Sequence, residues 1–256
     1  MFFDYVLLRF FARKELAEIN KLPIFEEAFK DWWSYLSLAL PCAFIICSEW
    51  WMYEALTILA GFIGVKELAT IVIIFNTHNF VYDFSYGLSQ ATSSIIGRTL
   101  AEFGKIEAKK VLSYILFIEL ALCSVMTLIY LYFPKQIIGI FSSEEEITDM
   151  YYQSLYYIII MFIFDSTQIV IGGIIRGIGE QGESSLVSFF SYLIVALPAS
   201  CLLAFYFGMG LQGIILGYIC GIVFNTVLNS FILANSKWKV KIEEEDTQDY
   251  IQIEDV

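Results

Sequence analysis

Six stretches of this chain are each long and apolar enough to cross a bilayer, and no other feature limits its folding so strongly. A membrane-spanning helix needs about 20 mostly apolar residues. Runs at 35–60, 68–96, 111–133, 150–175, 186–207 and 211–234 meet that length. They are too long for strands and lack the period-two alternation of a lipid-facing barrel. Of the 256 residues, 58% are hydrophobic and 16% charged, against about 25% charged in a soluble domain. The expected fold is therefore an all-α integral membrane bundle of six transmembrane helices. The composition excludes a soluble globular enzyme, a disordered chain and a disulfide scaffold.

The other regions follow from this frame. Residues 1–34 are expected to form a charged, aromatic cytoplasmic or interfacial arm, 35–236 the membrane lobe, and 237–256 an acidic tail. Pro134 breaks the chain after the third span. Gly208-Met209-Gly210 turns it between the fifth and sixth, which should form a tight helical hairpin. Of the 15 Lys and Arg residues, 13 fall on the side that carries both termini and 2 on the other. The positive-inside rule then places both termini in the cytoplasm. The net charge of −12, with no basic cluster, argues against nucleic-acid binding.

Familiar reaction chemistry is missing. The five cysteines lie in apolar runs without a CxxC pair, and the single histidine completes no zinc site with them. They read as buried thiols packing like small hydrophobes. No metal or cofactor is expected. There is no HExxH, no Walker A and no Ser–His–Asp order, so the chain is not expected to be an enzyme. Gly177-x-Gly179-x-x-Gly182 fits a dinucleotide fingerprint in letters only. It follows a membrane helix instead of a strand, and it reads as an interhelical turn. Gly213, Gly217 and Gly221 form a GxxxG stripe suited to close helix packing.

The informative residues are polar groups within the spans. Each buried charge costs roughly 2.5–3.5 kcal/mol on insertion scales. Five carboxylates nevertheless fall there: Glu49, Glu54, Asp83, Glu119 and Asp165. The basic residues nearby are Arg98 and Arg176 at span ends, and His78. Acids thus outnumber fixed countercharges. Low dielectric disfavours the ionised carboxyl, so such a group can exchange a proton for a cationic ligand.

Asn76, Asn79, Asp83, Tyr86 and Gln90 fall within about 80° on a helical wheel, a stripe expected to face a cavity or a partner helix. Asp165, Gln168, Gly172 and Arg176 form a similar stripe on the fourth span. Glu49 and Glu54 are five residues apart, about 140° on a straight helix. One is expected to face the cavity and the other to support packing. Tyr53 and Tyr86 are secondary candidates. His78 lies off the Asn76–Gln90 wedge and reads as a packing or hydrogen-bonding residue. Glu119 has no polar stripe around it and reads as a structural hydrogen-bond partner.

Leu40-Pro41 followed by Glu49-Trp50-Trp51-Met52-Tyr53-Glu54 resembles the seventh helix of the MATE (multidrug and toxin extrusion) transporters. The resemblance continues through Gly61, Glu67-Leu68, Tyr82, Gly87, Arg176-Gly177-Ile178-Gly179-Glu180-Gln181, Pro198 and Gly210-Leu211-Gln212-Gly213. It covers residues 22–238. It implies one lobe, the C-terminal one, of a two-lobe transporter that exports organic cations in exchange for H+ or Na+. The other lobe would be missing, so the chain would be a fragment or would pair with a second chain. The resemblance also matches Glu49, Glu54 and Asp165 to acids of the family. Many animal members carry an acid where this chain has Asn76, and Asp83, on the same wedge, is a candidate substitute. A flippase for a lipid-linked substrate shares the architecture but would want a basic cavity. A non-transporting accessory subunit is the alternative from another class.

Overall fold

The computed structural model describes residues 32–236 and 238. The expected arm, apart from 32–34, and the expected tail, apart from Trp238, lie outside the described residues. The chain divides into two compact units, Met1–Leu40 and Pro41–Val256. In the first, the described part is helical from residue 32. The second holds the core and the candidate site.

The described residues are almost entirely helical, in runs that follow the apolar stretches. Helix α1 spans Trp32–Ile63 and α2 spans Val65–Tyr132. A short helix, α3, follows at Pro134–Phe141, and α4 spans Glu145–Gly177. Helix α5 runs over Gln181–Tyr206 and α6 over Gly210–Asn235. Four of these, α2, α4, α5 and α6, are long and apolar enough to cross a membrane by length and composition. At 68 residues, a straight α2 would be about 100 Å long, some three times the apolar thickness of a bilayer. It breaks at Gly104, whose φ of 78° and ψ of −176° reverse the chain without the cost a Cβ would add. Each of the six apolar runs thus lies in a helical segment, two of them in α2.

Helix α2 packs most extensively on α4, α4 on α6, and α6 on α5. Small residues set these spacings. A Cβ on Gly173 or Gly177 of α4 would run into the backbone of Ser89 or Ser93 on α2. The Gly213–Gly221 stripe of α6 lies against the backbone of α5 at Leu203, Ala204 and Ser200 and against Ala196. The stripe packs within the chain. Opposite it, α5 widens into π-helical turns at Phe190–Ala196 and Leu202–Tyr206. Pro198 lies between them and brings no N–H to the ladder. The Leu197 and Phe207 amides donate five residues back, to Tyr192 and Leu202.

One expectation changes, and the GxGxxG stretch is the interhelical turn it was expected to be. Cys47 and Cys220 are exposed, and only Cys123 of the described cysteines is buried. An apolar surface facing lipid accommodates a thiol as readily as the core does. In the GxGxxG turn, Gly179 adopts φ +79° and Gly177 serves the α2–α4 contact, so both glycines have structural work.

Gly217→Leu is expected to lower stability by about 1–3 kcal/mol through overpacking. Gly139→Ala, where a Cβ meets open space, should leave it within about 0.5 kcal/mol. Denaturant unfolding in detergent micelles measures both.

Candidate functional site

Helical geometry selects one glutamate of α1. Glu49 is 3% exposed, while Glu54, on another face of the same helix, is exposed. Tyr53, one turn after Glu49, shares its buried face. Glu54 does not support packing as expected, because its face is turned outward.

Asp165 is fully buried on α4, and His78 is fully buried on α2. His78 Nε2 lies 2.7 Å from Asp165 Oδ2, a length typical of a charge-assisted bond. The Tyr53 hydroxyl donates to the same oxygen at 3.3 Å. The Tyr82 hydroxyl donates to Glu49 Oε2 at 3.2 Å. Gln168, one turn after Asp165, accepts from the Tyr192 hydroxyl at 2.8 Å. Asp165 and Arg176 are the charged groups whose fields act on Glu49. Among the described residues, His78 is the one base in ion-pair contact with these acids.

Aromatic rings enclose the group. Tyr53 and Tyr218 lie 5.3 Å apart between centroids, and Tyr218 stacks on Tyr192 at 6.2 Å. The His78 ring lies 6.1 Å from Tyr82, which stacks on Tyr86. Four buried polar atoms here have no hydrogen-bond partner: Glu49 Oε1, Asp165 Oδ1, His78 Nδ1 and the Tyr218 hydroxyl. The two oxygens are free to take a proton or face a cation.

Glu49, Asp165, Gln168 and Tyr53 therefore come together from α1 and α4. Asn76, Asn79, Asp83 and Tyr86 do not join them. Asn76 and Asp83 are exposed, and Asn79 and Tyr86 half-buried. The wedge is turned away from α4, because the opposite face of α2, with His78, Ser85, Ser89 and Thr92, is the one packed inside. The Asn76 amide donates back to Val72 O. Arg176 donates to Ser89 Oγ at 2.8 Å, bracing α4 on α2. The sequence reading missed the Asp165–His78 bond and the tyrosines at 82, 192 and 218. The available signal was that His78 is the only base inside the apolar runs.

The MatE family profile matches residues 41–202. The chain belongs to the MatE family. It is 32% identical to the multidrug and toxin extrusion protein 2 of Oryctolagus cuniculus over 219 residues, 85% of this chain and 36% of that protein. Against the human multidrug and toxin extrusion protein 1 it is 26% identical over 230 residues, 90% of this chain and 40% of that protein. The eukaryotic MATE transporter AtDTX14, solved by crystallography, shares the fold with a TM-score of 0.79 at 23% identity, covering 91% of this chain and 52% of that one. The chain spans from over a third to about half the length of these MatE relatives.

A double-mutant cycle tests the buried pair. His78→Phe and Asp165→Asn are each expected to destabilise the chain, with a coupling of about 1–3 kcal/mol between them. Glu54→Gln should fall within about 0.5 kcal/mol of wild type. Denaturant unfolding of the four variants in micelles reads these values, and strict additivity would break the pair's assigned role.

Proposed function

We propose that this chain supplies half of a secondary transporter that exports organic cations in exchange for H+ or Na+. The observation that carries the reading is the buried group of Glu49 and Asp165, two carboxylates of which, among the described residues, only Asp165 has a base in ion-pair contact, His78. Their unpartnered oxygens offer a proton or a cation the same place. Protonation neutralises the group and releases a bound cation, while deprotonation prepares it for the next. The tyrosines at 53, 82, 192 and 218 give that cation aromatic faces, and Gln168 orients Tyr192. Alternating access follows when one lobe rocks against another. The second lobe would come from a longer form of the chain or from a separate subunit, as the half-length match to MatE relatives suggests. The excess of Lys and Arg on one side supports cytoplasmic termini. In this reading the exposed Glu54, Asn76 and Asp83 and the half-buried Asn79 and Tyr86 stand outside the proton-binding group.

Proteoliposomes holding the chain in its native assembly should accumulate a fluorescent organic cation when a pH gradient is imposed. Asp165→Asn and Glu49→Gln should each cut the initial rate at least about tenfold, a loss of about 1.4 kcal/mol or more in the cycle. Asp83→Asn should keep it. Uptake indifferent to the gradient would remove the antiport reading, and a large loss in Asp83→Asn would return that acid to the site.

A further inference from the structure

A second buried acid lies away from the Asp165–His78 pair. Glu119, on the 105–132 part of α2, is 3% exposed. Its Oε1 accepts from the Ser85 hydroxyl at 3.1 Å and from the Cys123 thiol at 3.1 Å. Its Oε2 is buried with no partner. Ser85 belongs to the 65–103 part of α2, so the contact ties the two parts together 34 residues apart.

The charge on Glu119 is not matched. The ion pairs of the described residues are Lys66–Glu146, His78–Asp165, Arg98–Glu102 and Lys110–Glu107, and Glu119 is in none of them. From its own helix the titratable neighbour is Cys123. From the 65–103 part of α2 the facing group is Ser85, which does not titrate. From α4, the Ser166 hydroxyl lies beside Cys123.

A carboxylate used only as a hydrogen-bond acceptor could be replaced by an amide or hydroxyl at far lower desolvation cost. Here one oxygen already takes both donors, and the other is left bare. That asymmetry suits a carboxyl whose Oε2 takes up and gives back a proton while Oε1 keeps its two donors. We propose that Glu119, held by Ser85 and Cys123, is a second proton-binding site of the lobe, distinct from the Asp165–His78 pair. The step is the addition of one H+ to Oε2, turning carboxylate into carboxylic acid, and its return to water. Service in the transport cycle rests on the antiport reading above, but the proton itself does not, so the proton is what is measured.

The purified chain in micelles is titrated with acid while infrared difference spectra follow the carboxylic-acid C=O band. Wild type should show a Glu119 contribution that appears on acidification, disappears in Glu119→Gln and persists in Asp165→Asn. Glu119→Asp, which keeps an acid at the site, should retain a titrating band at shifted frequency and guards against a merely misfolded Gln variant. A spectrum unchanged by Glu119→Gln overturns the proposal. So does a band that follows added NaCl against choline chloride and ignores pH, since the site would then hold an alkali cation. Either result leaves the antiport reading of Glu49 and Asp165 intact.

Discussion

A carboxylate inside a membrane has to share its surroundings with something positive; Asp165 has the His78 imidazole, and Glu49, in the same buried group, has no ion-pair partner among the described residues. Asp165 Oδ2 lies 2.7 Å from His78 Nε2 and accepts from the Tyr53 hydroxyl, and Glu49 accepts from the Tyr82 hydroxyl. One ion pair for two acids leaves one carboxylate without a base in contact. Replacing such a group with apolar residues would generally be neutral or stabilising. On the proposed antiport reading, the two acids stay in one buried place because a positive species comes and goes there.

The scaffold exists to bring these groups together from distant parts of the chain. His78 and Asp165 are 87 residues apart and meet because α2 and α4 approach closely. That approach depends on Gly173 and Gly177 facing Ser89 and Ser93. The glycine stripe of α6 seats α5 in the same way, and its π-helical turns place Tyr192 fully buried beside Tyr218. Backbone contact between small residues is the general means of helix association where lipid offers no hydrophobic drive. Here it also sets the distances within the polar group.

Much of this was legible in the sequence, for definite reasons. Run length located the helical segments, since the bilayer imposes a length that composition records. Helical arithmetic separated Glu49 from Glu54, because a five-residue spacing on one helix is a local property. The glycine stripe on α6 was legible for the same reason. Periodicity failed where the answer depended on another helix. It found the Asn76–Gln90 wedge but not the direction it faces. A second stripe of His78, Ser85, Ser89 and Thr92 lies opposite on the same helix, within about 60°, and that one is buried. Small hydroxyls there allow α4 to approach, which an amide-rich face would not. Glu119 looked isolated because Ser85 reaches it across the Gly104 reversal and not along its own helix.

The central claim is that a proton and a cation compete for the Glu49–Asp165 group. The most direct measurement is proton release on binding: an organic cation is titrated into the purified chain in weakly buffered micelles while the solution pH is recorded. The account predicts that protons leave as the cation binds, with the release abolished in the Glu49→Gln, Asp165→Asn double variant. Binding of comparable strength that releases no proton at any pH tested would contradict it.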